Sequence, residues 1–274
     1  MILNLNNYNY SNLNNSSYLH PFFVGLLDGK GTISISKMSP NTLQVRIIIS
    51  LLNNKENYEM LSLIAMNICG RIAIERNDRY VTWIAASKSE IGRVFAILEQ
   101  YPLLTSRKIC QYNFVKDCLR LKNNTDILSK WDILKQSKYD SQFQIILNLT
   151  LNFILDRRIP KHFSAWLSGF IEALGEFKFV LYPNGAIHSS QFVITLNNDL
   201  YILSFILFLF RIENYKISYP YSSCNNNSYL NNPDFKIAIA GVEVRLLLKN
   251  HFDLYPLLGF KKKEYLEWER LGRF

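Results

Sequence analysis

One nine-residue stretch constrains the fold more than any other: Phe23-Val24-Gly25-Leu26-Leu27-Asp28-Gly29-Lys30-Gly31. It returns as Leu167-Ser168-Gly169-Phe170-Ile171-Glu172-Ala173-Leu174-Gly175. Each copy reads as an apolar helix with a glycine inside it, then an acid, a small residue, a variable residue and a second glycine, followed at once by alternating strand sequence. Glycine inside a helix costs about 0.5–1 kcal/mol relative to alanine, so glycine at the same place in both copies predicts that two helix backbones touch there.

The spacing argues for duplication of a whole unit. Gly25 and Gly169 are 144 residues apart, as are Gly31 and Gly175, and Leu52-Asn53-Asn54 recurs at that offset as Leu196-Asn197-Asn198. Tyr101-Pro102-Leu103-Leu104 recurs as Tyr255-Pro256-Leu257-Leu258 at an offset of 154, which places about ten extra residues in the second copy. The loop 218–232 is the natural place for them. Four landmarks in one order mark an internal repeat.

These residues make the chain similar to the single-chain, two-repeat LAGLIDADG proteins, the family of homing endonucleases and intron maturases, over nearly everything outside the N-terminal tail and the linker. The resemblance implies an α+β fold of two pseudo-symmetric αββαββα repeats packed through paired motif helices, with an antiparallel sheet saddle for nucleic acid and an internal pseudo-twofold in a monomer. It also implies that the acid before each motif's last glycine holds a catalytic metal. Those positions are Lys30 and Leu174 here. An ammonium stands where a divalent cation would sit, and a hydrocarbon where a ligand would be, whereas hard cations need oxygen donors. No catalytic residue and no metal or other cofactor is therefore expected, with magnesium entering only if the chain cleaves through atypical ligands such as Glu176.

Asp28 and Glu172 lie two positions upstream, about 200° around a helix, and are expected to cap or to pair across the helix interface. Gly25, Asp28, Gly29, Gly31, Gly169, Glu172, Ala173 and Gly175 make up the expected interface motif.

Along the chain, residues 1–19 read as a polar arm, 20–121 as the first repeat, 122–160 as a partly helical linker, and 161–274 as the second repeat. In the first repeat a helix starts near Pro21 and ends at Gly29, and strands follow over 31–37 and 43–52 with a Pro40-Asn41 turn. A helix capped by Asn54 comes next, then strands 71–75 and 80–86, a helix from Lys88 or Ser89 to Gln100, and a helix from Ser106 to Leu121. The linker carries helices over 127–136 and 141–155. The second repeat retraces the first, with Phe177, Phe179 and Leu181 expected to point inward and two strands expected around the loop 218–232.

Half the residues, 49%, are hydrophobic, which makes the chain globular, and its net charge of +9 calls for an anionic partner. The charge is spread through strands and loops, favouring nucleic acid over a membrane surface. The run Leu200–Phe210 is about half of what a bilayer needs and reads as a buried helix. Cys69, Cys110, Cys118 and Cys224 show neither zinc spacing nor a disulfide framework. The N-terminus lacks the charge pattern of a transit or secretory signal, and abundant Asn, Ile, Lys, Tyr and Phe suits synthesis from an AT-rich organellar genome, so a mitochondrial origin is expected.

Candidate nucleic-acid contacts are the strand positions Thr32, Ser34, Ser36, Lys37, Gln44, Arg46, Arg71, Glu176, Lys178 and Gln191, together with the helix-start cations Arg107, Lys108, Lys261 and Lys262. A solvated sheet face would show the same alternation. Lys130, Lys135 and Lys138 of the linker face either phosphate or water. Tyr80, Tyr182, Tyr219, Tyr221 and the loop 224–232 are candidates for stacking on unpaired bases.

The resulting expectation is a catalytically degenerate protein that binds structured RNA in preference to duplex DNA, as an intron maturase or RNA-assembly factor. An active DNA endonuclease with an atypical site, and a subunit of an organellar ribonucleoprotein particle, remain the alternatives.

Overall fold

The computed structural model describes residues 16–39, 42–120, 131–212, 214–218 and 234–272. The arm up to residue 15, the linker stretch 121–130 with Lys130, and the loop with Tyr219, Tyr221 and residues 224–232 lie outside the described residues.

The first repeat runs α1 (Ser16–Lys30), β1 (Gly31–Ser39), β2 (Thr42–Leu52), α2 (Lys55–Asn67), β3 (Arg71–Glu75), β4 (Tyr80–Ala85), α3 (Lys88–Gln100) and α4 (Ser106–Arg120). The linker contributes α5 (Trp131–Gln136), a 3-10 turn (Ser137–Tyr139) and α6 (Gln142–Asp156). The second repeat follows as α7 (Phe163–Leu174), β5 (Glu176–Leu181), β6 (Ile187–Asn197), α8 (Leu200–Leu209), β7 (Asp234–Ala240), α9 (Val242–Leu254) and α10 (Phe260–Leu271). Two antiparallel sheets result, in the orders β1-β2-β4-β3 and β5-β6-β7.

Local chemistry sets several boundaries. Asn54 caps α2 by accepting from Asn57 N at 2.9 Å. Ser87 and Glu90 form a reciprocal capping box at the start of α3, satisfying two helix-end amides together. The first helix begins at Ser16, five residues before Pro21. The polar reading of the preceding residues fails there because Tyr18 and Leu19 are buried in the core.

Alternation sorts each sheet into two faces. Ile33, Ile35, Val45, Ile47, Ile49, Val81, Trp83 and Ala85 are buried on the inner face of the first sheet, and Phe192, Ile194, Leu196, Phe235, Ile237 and Ile239 on that of the second. Leu181 departs from the expected inward direction and is 57% exposed. The pairing register shifts between Val180 and Leu181, and that irregularity turns the end of the strand over. Ahead of the long loop, pairing among the described residues is confined to a bridge from Ser218 to Lys236, so the second expected strand is visible only there.

The motif helices α1 and α7 cross with their backbones in contact. A Cβ added to Gly25 would lie 1.8 Å from Trp166 O, and one added to Gly169 would lie 1.9 Å from Phe22 O. The near equality of the two distances expresses the pseudo-twofold. Further along, the Cβ position of Gly29 is 2.3 Å from Ala173 Cβ. The helices thus converge on Lys30 and Leu174, where β1 and β5 begin. Both strands are edge strands of their sheets, and the helix pair is buried in one core with the apolar inner faces of both sheets.

Candidate nucleic-acid interface

Cross-strand pairing assembles the polar face of the first sheet. Ser34 lies opposite Arg46 and Ser36 opposite Gln44, while Thr32 stands across from Ile48. Arg71 joins the same face from β3, opposite Ile84. Lys37 does not: it pairs with Leu43 and shares the parity of Ile33 and Ile35 just before a register shift, so it is an exposed strand-end residue and not part of the row with Ser34 and Ser36. The sequence reading also missed Ser50 and Glu75, which a fully buried Thr82 links. Ser50 Oγ and Thr82 Oγ1 are 2.9 Å apart, and Thr82 donates to Glu75 Oε2 at 3.2 Å. The outward parity of Ser50 and Thr82 was readable from β2 and β4, but apolar neighbours on both sides masked it, while Glu75 closes β3 beside Arg76.

The second sheet presents Glu176, Lys178 and Gln191 on one face, with Lys178 opposite Gln191. Lys178 Nζ pairs with Glu176 at 2.5 Å, and both side chains are about half exposed. An exposed pair of this kind contributes only about 0–1 kcal/mol, so it leaves Lys178 available to an anion. Thr195 and Lys236 face each other on the same side and extend the row. Lys236 was hidden in the sequence by its position just after the low-complexity loop. Tyr80 packs beneath Arg76, 4.9 Å from its guanidinium carbon, and Tyr182 packs against His188 with ring centroids 4.5 Å apart.

Asp28 and Glu172 prove to be helix caps. Asp28 accepts from Leu104 N (2.8 Å), Thr105 N (3.1 Å), Thr105 Oγ1 (2.6 Å) and, across the helix pair, Trp166 Nε1 (2.7 Å). It therefore caps α4 and pairs across the interface at once. Glu172 accepts from Lys261 N at 2.7 Å at the start of α10. Each repeat also caps the other: Asp199 accepts from Ser106 N at 3.2 Å, and Asn57 Oδ1 accepts from Phe260 N at 3.1 Å. Anionic groups at helix N-termini satisfy amides that have no partner within the helix.

Burial pushes Glu172 up to about 7, against the amides of Lys261, Gly259 and Leu258 that hold it down, and raises Asp199 to about 6. Burial also raises Asp28, although its four hydrogen bonds oppose the shift. A carboxyl raised in the folded state stabilises the fold fully below its ordinary value of 4.5 and loses that contribution as pH rises to about 7. The stability difference between wild type and Glu172→Gln is therefore expected to change by about 3 kcal/mol in favour of the variant between pH 4.5 and 7.5. Denaturant titrations at several pH values measure it. The difference is needed because His251, pushed down to about 4 by burial, stabilises in the opposite direction over the same window. A pH-independent difference would place Glu172 in an ordinary environment.

The helix-start cations divide by environment. Arg107 is exposed. Lys108 is turned inward and half-buried, its ammonium disfavoured by burial although Asp28 attracts it, so it is not the open phosphate contact that its position suggested. Lys261 Nζ pairs with Glu264 at 2.5 Å. Lys262 is half-buried on the same helix.

Lys30 is exposed at the end of α1, and Leu174 leans over Gly29, its Cγ 3.3 Å from the Cβ position there. The nearest acid in the chain beyond the second motif, Glu176, already faces the Lys178 ammonium. Lys30 and Leu174 thus supply no carboxylate oxygen at the two helix ends, whereas a hard divalent cation takes several oxygen ligands. Among the described residues, no group of three or more His, Cys, Asp or Glu is placed to hold a metal, and no helix is long and apolar enough to cross a membrane.

Comparison with known proteins agrees with this architecture. Residues 23–118 match the family described as LAGLIDADG endonuclease. A probable intron-encoded endonuclease aI3 of Dictyostelium citrinum is 31% identical over 92% of this chain and 93% of its own length. A protein of the same description from Debaryomyces hansenii is 31% identical over 93% of this chain, which spans only 38% of that longer protein. Among solved structures, the LAGLIDADG meganuclease I-CpaMI bound to uncleaved DNA matches with a TM-score of 0.66 at 19% identity, covering 92% of this chain and 90% of that one. The chain belongs to the LAGLIDADG endonuclease family.

Proposed function

We propose that this protein binds nucleic acid across its two-sheet saddle without metal-dependent cleavage, and that its partner is structured RNA, as for an intron maturase or RNA-assembly factor in the mitochondrion. One observation carries the loss of cleavage: Lys30 and Leu174 occupy the helix-end positions where the family resemblance calls for metal-holding acids. The hydroxyl, amide and basic side chains of the saddle suit backbone and shape recognition, the way in which double-helical RNA is mostly read. The relatives' description as intron-encoded favours an intron transcript as the RNA.

With magnesium present, the purified protein is expected to leave duplex DNA uncut, and Lys30→Asp with Leu174→Glu is expected to gain metal binding measurable by calorimetry. Wild-type cleavage that disappears with Glu176→Gln would overturn this reading.

Binding supplies the second test. Arg46→Ala with Lys178→Ala should weaken binding to an intron transcript and flatten the dependence of log K on log salt by about one unit per lost phosphate contact. Competition with a random DNA duplex at fixed salt decides the partner. A duplex that displaces the transcript as well as unlabelled transcript does would replace RNA with DNA.

The DNA reading has its own support, since the solved relative I-CpaMI is a DNA complex of the same fold. A third role, as a subunit of a stable ribonucleoprotein particle, would show as co-purification with a particle instead of a single transcript.

A further inference from the structure

The linker meets the first repeat at Tyr139, and the contact is built from the edge of the saddle outwards. β1 is an edge strand, and its Ile33 N donates to Gln111 Oε1 of α4 at 3.1 Å. The other end of the same amide, Gln111 Nε2, donates to Tyr139 Oη at 3.2 Å. One buried glutamine therefore ties the free edge of the sheet to the linker turn. Around the Tyr139 ring two cations gather: Lys138 Nζ is 4.7 Å and the Arg107 guanidinium carbon 5.3 Å from its centroid.

Charge pairing makes this cluster unlike its counterpart. Among the described residues neither Arg107 nor Lys138 forms an ion pair with a carboxylate. The acids at this end of α4, Asp28 and Asp199, are taken up by its backbone amides. In the second repeat, by contrast, Lys261 pairs with Glu264, and Lys263 Nζ lies 4.0 Å from Glu56. Two like charges gathered at one ring without a counter-charge raise the local potential, and a guanidinium resting on an aromatic face keeps its donors free for a bidentate anion.

We infer that Arg107 and Lys138, held by Tyr139, form a phosphate clamp that makes the linker part of the nucleic-acid interface, gripping the sugar-phosphate backbone beside the free edge of β1. The inference rests on the saddle being the binding surface. It makes the interface unequal, because among the described residues Lys261, which stands in the second repeat where Arg107 stands in the first, is paired with Glu264. It also assigns a role to a segment that lies outside both repeats.

The test uses the full-length protein, with a random-sequence DNA duplex and a structured intron transcript as separate probes, titrated over a salt series. Arg107→Ala with Lys138→Ala is expected to weaken binding about tenfold on both probes and to lower the salt slope by about one to two units. Lys135→Ala, an exposed linker cation away from the ring, serves as the control and should change the slope by clearly less. Tyr139→Phe, which keeps the ring but removes the acceptor of Gln111 Nε2, should lose clearly less than the double variant, whereas Tyr139→Leu should lose most of what the double variant loses. Melting temperatures of all variants separate binding from folding.

Wild-type affinity and slope in the double variant, with a loss on Arg46→Ala, would overturn the clamp and leave the saddle reading standing. Equal losses on Lys135→Ala and the double variant would also overturn it, in favour of diffuse attraction. No loss in any variant, Arg46→Ala included, would remove the saddle reading and the clamp together.

Discussion

Gly25→Ala is expected to destabilise the protein by about 3 kcal/mol or more, and Gly25→Ala with Gly169→Ala to leave it largely unfolded at physiological temperature. The new methyl carbon would stand 1.8 Å from a backbone oxygen, Trp166 O, where no side chain can rotate away. Overpacking in a core usually costs about 1–3 kcal/mol, and that range assumes neighbours that yield. Here the helices must separate, opening a contact that carries Phe22, Leu26, Phe170 and their buried neighbours. Against a total stability of about 5–15 kcal/mol, two such substitutions exceed what a protein of this size tolerates. Gly92→Ala in α3 supplies the contrast: nothing lies within 4 Å of its Cβ position, and the substitution should be neutral or stabilising by about 0.5–1 kcal/mol. Denaturant unfolding of the three variants checks the prediction, and a cost below about 1 kcal/mol for Gly25→Ala would mean that the helices do not cross so closely.

Asp28→Ala is expected to cost about 4 kcal/mol. The substitution leaves Leu104 N, Thr105 N, Thr105 Oγ1 and Trp166 Nε1 without their common acceptor in a dry interior, and each orphaned donor costs about 1–3 kcal/mol before relaxation. Asp28→Asn keeps one acceptor oxygen and sets its amide hydrogens against other donors, so it should fall between alanine and wild type. Trp166→Phe removes one of the four donors and also leaves a gap between Phe163 and Phe170, so its own cost includes a cavity contribution. A double-mutant cycle between positions 28 and 166 isolates the bond across the helix pair, and a coupling near zero would show that Trp166 donates elsewhere.

What was legible in the sequence follows from what short-range pattern encodes. The contact at Gly25 and Gly169 could be read because glycine weakens an apolar helix unless another backbone must come close, and here it occurs twice at one spacing. The faces of β1 and β2 could be read because period-two alternation holds from Thr32 to Ser36 and again from Gln44 to Ile47. The role of Asp28 could be narrowed only to capping or pairing, since its partners lie 76 or more residues away. Lys108 looked like an open cation because sequence carries no sign of the burial beside Asp28 and Asp199 that turns it inward. The beginning of α1 was obscured by Asn and Ser around it, although Tyr18 and Leu19 are what the core uses there. Tyr139 gave no signal of its own, because Arg107 and Gln111 reach it from α4 and its own neighbours resemble an ordinary solvated turn.

The exchanged caps set a timetable for synthesis. Ser106 N waits for Asp199, 93 residues downstream, and Asp28 is complete only once Trp166 has been added 138 residues after it. At a synthesis rate of about 5–20 residues per second, α4 leaves the ribosome roughly 5 to 20 s before the carboxylate that closes its first turn. During that interval the first repeat is a nascent chain with an open helix end and an uncovered glycine-bearing helix face. A nascent-chain series arrested before and after Asp199 should therefore pass from protease-sensitive to resistant in the first repeat at a chain length set by the second.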